Sequence, residues 1–289
     1  RVTSASLHLY TIKGLIMSYR VIALDLDGTL LDDQKRILPG SLTALNLARK
    51  AGVKVLIVTG RHHVAIHPFY QALDLDTPAI CCNGTYLYDY LGKKVLESDP
   101  LTPEETRAVL DLVKQTDVHH LVYADDAMMY DQLTAAVQRT LNWADTLPLA
   151  QRPNLVKVDD FYQAMHHVDS IWKIATTTPN HDELRALIEQ VEQQVGLECE
   201  WSWVDQVDIA KKGNSKGRRL QRWVEANGMK MSDVMAFGDN FNDLSMLEHV
   251  GLGVAMGNAS DEVKARAKLV TKNNNQPGIA ETIHKYILS

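Results

Sequence analysis

Two carboxylates one residue apart, Asp25 and Asp27, stand in Asp-Leu-Asp-Gly-Thr at 25–29, directly after the apolar run Arg-Val-Ile-Ala-Leu. A second acidic pair, Asp239 and Asp243, stands in Gly-Asp-Asn-Phe-Asn-Asp at 238–243, again directly after an apolar run. Anions placed this close repel by several kcal/mol in a low dielectric unless a cation offsets them. In extended chain the side chains of Asp25 and Asp27 would leave one face of a strand; Gly28 permits a sharp turn and Thr29 adds a hydroxyl. Asp243 is expected in the first turn of the next helix, facing back toward Asp239, with Asn242 between them. Aspartates also cap helices, but one suffices for that. Three or more on one rim make a hard-cation site, and Mg²⁺ is favoured over zinc because no His or Cys stands at ligand spacing. Thr59 in Val-Thr-Gly-Arg and Lys216 in Gly-Asn-Ser-Lys-Gly add a hydroxyl and an ammonium. With the aspartates they complete a clamp for a phosphoryl group.

These residues need a scaffold that brings strand ends together. The run 20–24, helical spacing over 41–51, the run Val-Lys-Val-Leu-Ile-Val, a helix over 62–73 and Pro-Ala-Ile-Cys-Cys at 78–82 alternate as strand, helix, strand, helix, strand. That rhythm predicts right-handed crossovers in a parallel sheet. Ligands of open parallel sheets lie beyond the carboxyl ends of the strands, where Asp25, Thr59, Asn83 and Asp239 all fall. From Tyr86 the pattern changes to a hairpin around Leu91-Gly92, then helices and short strands, before the parallel rhythm returns with a helix over 216–227. The chain reads as an α/β protein with a Rossmann-like parallel-sheet core (17–87 and 209–289) split by an inserted α+β cap (88–208). Residues 1–16, which precede Met17, read as a leader or tag.

In combination these motifs resemble the haloacid dehalogenase superfamily, whose four motifs are matched in order by 25–29, Thr59, Lys216 and 238–243. The inserted cap, Asn-Gly at 83–84 and Ser-Lys-Gly at 215–217 resemble the Cof-type phosphatases. The resemblance implies a phosphatase with Asp25 as nucleophile and Asp27 as general acid/base. It implies Mg²⁺ held by Asp25, the Asp27 backbone carbonyl and Asp239, with Asp243 supporting that loop. It implies a phosphoryl group held by Thr59, Gly60, Lys216, Asn83, Gly84 and Asn242. The substrate would be a small phosphorylated metabolite. The pattern is most similar to bacterial members acting on pyridoxal 5′-phosphate, with sugar phosphates such as erythrose 4-phosphate next; a phosphomutase or a phosphate sensor on the same core are further alternatives. Asn-Asn-Asn-Gln-Pro at 273–277 departs from the acidic stretch expected there.

The remaining features are bland. A net charge of −6 with mixed signs excludes a nucleic-acid footprint, and no uncharged stretch approaches the roughly 18 residues of a membrane span. Cys81, Cys82 and Cys199 read as free thiols of a reducing, cytoplasmic compartment. Gly-Leu-Gly-Val-Ala-Met-Gly at 251–257 has its third glycine one residue late for a dinucleotide loop. His62, His63 and His67 read as a solvated helical turn rather than a zinc pair. Trp201 and Trp203 read as sheet packing, and Arg61 as solvated or ion-paired.

Overall fold

The structure, a computed structural model, describes residues 19–289; the expected leader and Met17 lie outside the described residues. β1 (Val21–Leu24) is buried along its whole length. The helix Pro39–Lys50 follows, begun by a proline whose fixed φ suits a first turn, and leads to β2 (Lys54–Ile57). The expected helix over 62–73 is shorter, His67–Ala72, after a single 3₁₀ turn at His63–Ala65. Pro68 accounts for this, since proline is tolerated only in a first helical turn.

β3 (Ala79–Cys81), β4 (Tyr86–Asp89) and β5 (Lys94–Ser98) form a separate antiparallel sheet in that order. The sequence pattern places 78–82 in the parallel sheet as its third strand. In the structure a single parallel bridge, Val58 to Ile80, joins β3 to that sheet. Cys82, Asn83 and Gly84 take φ of 48°, 56° and 91°, a reversal that lays the chain back along β3 instead of into a crossover helix.

The inserted region holds β6 (His119–Ala124), β7 (Ala127–Tyr130), β8 (Leu155–Lys157), β9 (Ile171–Thr177), β10 (Glu198–Trp203) and β11 (Gln206–Ala210). They form one sheet in the order β10-β11-β9-β6-β7-β8, parallel only between β7 and β8. β8 and β11 are not among the strands expected from sequence, and positions 88 and 208 lie within β4 and β11. β12 (Val234–Gly238), β13 (Leu252–Ala255) and β14 (Leu269–Val270) complete a five-stranded parallel sheet, β14-β13-β12-β1-β2.

Alternate residues of the parallel strands enter two different cores, as a period of two requires. Ile22, Leu24, Ile57 and Phe237 meet the helices Pro39–Lys50 and Gly278–Tyr286 on one face. Val21, Ala23, Leu56 and Ala236 meet the helices Lys216–Ala226 and Leu244–Leu247 on the other. Burial on both faces explains why these strands read as unbroken apolar runs. The cap sheet has its own core: Val122, Ile174, Val207 and Ile209 pack on the helices Pro103–Val113 and His181–Gln190. Its other face turns toward the parallel sheet. The expected fold, an α/β core with an inserted α+β cap, is the fold observed.

Candidate active site

β1, β2 and β12 end together, and Asp25, Thr59 and Asp239 follow them on one rim. The Asp25 N–H still pairs with the Phe237 carbonyl at 3.2 Å, which fixes the Asp25 side chain at the sheet's edge. Lys216 opens the helix Lys216–Ala226, capped by the Ser215 hydroxyl, which accepts from the Arg218 N–H. This helix start is held close by Gly84: a Cβ there would lie 2.0 Å from the Ser215 carbonyl oxygen. Gly28 plays the same part for Asp239, whose Oδ2 would lie 2.3 Å from a Cβ at position 28.

Lys216 is fully buried and donates to Asp25 Oδ1 at 2.8 Å and to Asp243 Oδ1 at 2.7 Å. Asp239 accepts from the Thr29 hydroxyl at 2.9 Å, and Asp243 Oδ2 accepts the N–H groups of Asp239 and Asn240. Ligand atoms of Asp25, Asp239 and Asp243 all lie within 4.8 Å of one another. Desolvation first, then the Asp243 charge, pushes the Asp25 carboxyl up to about 7 against the pull of Lys216. Desolvation, then Asp25 and Asp243, likewise raises Asp239 well above the usual carboxylate range. Three carboxylates against one ammonium leave two negative charges without a partner when all are ionised. An all-oxygen donor set with unbalanced negative charge fits a hard divalent cation.

Asp27 lies elsewhere. The expectation that its carboxylate shares a face with that of Asp25 fails because β1 stops at Leu24 and the chain turns through 26–29. Asp27 instead accepts from Arg61 Nε at 2.6 Å and Nη2 at 2.7 Å, and from Lys35 Nζ at 2.7 Å. These two cations outweigh its burial and hold it well below the usual carboxylate range. Its side chain is outside the carboxylate cluster, so only its backbone is placed to serve a cation there.

The expected phosphoryl-binding residues divide. Thr59, Asn83 and Asn242 are all buried, and Thr59, Gly60 and Asn242 line a cleft of about 400 Å³ with Asp25, Asp27 and Asp239. The Thr59 hydroxyl accepts from the Arg61 N–H at 3.0 Å. Asn242 Nδ2 donates to Asn83 Oδ1, and Asn83 Nδ2 donates to Asp208 Oδ2, each at 3.1 Å. Gly84 sits under Ser215, a packing role. Lys35, Lys173 and Asp208 carry no sequence motif and were not expected here; single charged residues within a strand or turn give no signal of their own.

His62 and His63 are buried rather than solvated. His62 Nε2 meets the Asp125 carbonyl at 2.6 Å and His63 Nδ1 the Tyr86 hydroxyl at 2.8 Å, so each belongs to the packing. Trp203 is 60% exposed near Phe241 at the mouth of the cleft, not packed in the sheet. The Asn-rich stretch has a job: Asn274 and Asn275 donate their amides to Asp33, and Asn274 also to the Leu31 carbonyl. Acidic residues there would repel Asp33.

The fold and this rim define a haloacid dehalogenase-like hydrolase, and the chain belongs to that family: its family model matches residues 22–283. The chain is 56% identical over 272 residues to the pyridoxal phosphate phosphatase YbhA of Escherichia coli, covering 94% of this chain and 100% of the relative. It is 30% identical to the 5-amino-6-(5-phospho-D-ribitylamino)uracil phosphatase YitU of Bacillus subtilis, covering 92% and 97%. A solved haloacid dehalogenase-like hydrolase from B. subtilis superposes with a TM-score of 0.80 over 91% of this chain and 98% of that one, at 24% identity, and so shares the fold. The chain is thus an enzyme, a phosphatase of this family. Among the described residues no helix is long and apolar enough to cross a membrane.

Proposed function

We propose that this phosphatase is Mg²⁺-dependent, acts in the cytoplasm on small phosphorylated metabolites, pyridoxal 5′-phosphate first among them, and works through an aspartyl-phosphate on Asp25. The observation that carries the mechanism is the cluster of Asp25, Asp239 and Asp243, the first and last of them paired with the buried Lys216. The substrate reading is supported by the 56% identity to YbhA. The Asp25 carboxylate is the group at the strand end facing the cleft; it attacks phosphorus and the alkoxide leaves on the opposite side. Lys216 and the Thr59 hydroxyl hold phosphoryl oxygens as charge shifts onto them. Mg²⁺, taken by the carboxylates of Asp25 and Asp239 and the Asp27 carbonyl, would offset the repulsion between carboxylate and phosphate. Asp27 would deprotonate water to cleave the acyl phosphate, and since the ion pairs with Arg61 and Lys35 weaken it as a base they must loosen for that step. To serve as acid for the leaving oxygen in the first step it must exchange Arg61 for a proton. The inserted sheet, as a cap over the rim, would exclude water from attack and select the leaving group.

The test is phosphate release from a panel of phosphorylated metabolites, with and without Mg²⁺, for wild type and Asp25→Asn. Turnover of pyridoxal 5′-phosphate is expected highest in kcat/KM, absent without divalent cation, and lost in Asp25→Asn. Turnover surviving that isosteric change would sink the covalent mechanism, and another metabolite leading the panel would replace the substrate.

A further inference from the structure

The mechanism leaves one fully buried ion pair unused. Lys173 on β9 and Asp208 on β11 are 3% and 2% exposed and meet at 2.8 Å. Neighbours of Asp208 along β11, Val207 and Ile209, point into the cap core, so strand alternation sends Asp208 to the opposite face, toward the parallel sheet. There Lys173 Nζ also donates to the Gly60 carbonyl at 2.8 Å, next to Thr59. Asp208 Oδ2 accepts from Asn83 Nδ2, and Asn83 Oδ1 accepts from Asn242 Nδ2. Asn83 is itself against the phosphate loop: a Cβ on Gly60 would lie 2.9 Å from its Oδ1.

The direction of this chain follows from hydrogen-bond chemistry. A carboxylate only accepts, whereas an amide can present either end. Asp208 therefore forces Asn83 to turn its NH₂ toward the cap and its oxygen toward Asn242. That oxygen in turn demands the NH₂ of Asn242, which has a second N–H to spend. Lys173, held as an ammonium by Asp208, keeps the Gly60 carbonyl occupied, so this acceptor is tied up by a donor from the cap. Both effects bear on the same place, where an anion needs donors.

We propose that the Lys173–Asp208 pair is a positioning device carried by the cap: it sets, through Asn83, the amide orientation of Asn242 and, through Gly60, the loop bearing Thr59, so that the phosphoryl site presents donors when the cap is seated. The inference rests on the proposed phosphatase site but not on which metabolite is bound. It acts on the phosphoryl end alone and is independent of the leaving group.

The test uses the full chain with Mg²⁺ and the paired variant Lys173→Gln/Asp208→Asn, which removes both charges at once and avoids stranding one of them. Inorganic phosphate binding by titration calorimetry is expected to weaken about tenfold or more. The kcat/KM is expected to fall by one common factor for pyridoxal 5′-phosphate and p-nitrophenyl phosphate. A folded variant that binds phosphate like wild type overturns the proposal. So does a loss confined to one of the two substrates, which would make the pair a leaving-group contact. Asn83→Gly cuts the same chain at a position already at φ 56°, a conformation glycine holds without strain. It is expected to weaken phosphate binding likewise, and unchanged binding there is equally fatal. If wild type hydrolyses p-nitrophenyl phosphate but not pyridoxal 5′-phosphate, the substrate reading fails while this comparison still decides.

Discussion

At residue scale, the buried histidines give the clearest dependence on pH. The Tyr86 hydroxyl accepts the His63 backbone N–H at 2.9 Å and lies 2.8 Å from His63 Nδ1. Desolvation, then the neighbouring His67, lowers His63 to about 4; desolvation lowers His62 well below its ordinary value too. A folded-state value below the unfolded one means that the fold favours the neutral ring. Their stabilisation is thus complete above about pH 6.5 and is lost as pH falls through 6.5 toward 4, by roughly 3 kcal/mol for His63 alone. Denaturant melts from pH 8 down to pH 4 are expected to show this decline, and His63→Gln to show a flatter one. Parallel curves for the two proteins would mean that His63 charges freely in the folded state. Sequence alone showed histidines at 62, 63 and 67, two of them at i, i+4; the burial of His62 and His63 depends on Tyr86 and Asp125, which are distant in the chain and carry no motif.

At the scale of elements, the site depends on where helices begin. Ser215 caps the helix that starts with Lys216, and Gly84 lets the chain before it come close. Ser215→Ala removes one cap and is expected to cost about 1 kcal/mol with Lys216 in place. Gly84→Ala adds a Cβ where there is no room, at a φ of 91°. It is expected to cost more, roughly 2–4 kcal/mol, and to lower kcat because the helix start must shift. Urea melts and kcat for the two variants check this, and equal costs would refute the packing role. The elements most legible in sequence were those buried on both faces, β1, β2 and β12, because their apolar runs are unbroken and an acid follows two of them. β3 keeps one parallel bridge to the expected sheet and otherwise pairs antiparallel with β4, because an apolar run does not say which neighbours it takes; the reversal at 82–84 decided that. β11 was missed because Gln206-Val-Asp-Ile-Ala alternates and its inward Asp208 looks like a surface residue. The acidic motifs were readable as clusters, while the turn that parts Asp27 from Asp25 was not.

At the scale of the whole molecule, an aromatic stack is one of the contacts between cap and core. Trp143 of the helix Ala135–Asp145 stacks on Phe69 with centroids 6.0 Å apart, and the Arg61 guanidinium lies 5.2 Å from the Trp143 ring and 5.4 Å from that of Phe69. Trp143→Ala is expected to cost about 1–2 kcal/mol of stability. It should also loosen Arg61 and with it Asp27, lowering kcat about tenfold while phosphate binding holds; steady-state kinetics beside calorimetry would show this. Loss of phosphate binding in step with kcat would mean that the stack supports the phosphoryl site instead.

The order of strands has a consequence for biosynthesis. β1 lies between β2 and β12, and Asp25 meets Lys216 and Asp243 across 191 and 218 residues of chain. The parallel sheet is therefore incomplete until its last third has left the ribosome, whereas every strand of the inserted sheet lies within 119–210 and closes on its own core. The middle of the protein is in a position to fold first. The nascent first strand, apolar on both faces, finds β2 soon after it but must wait with its other edge open for β12, made more than 200 residues later.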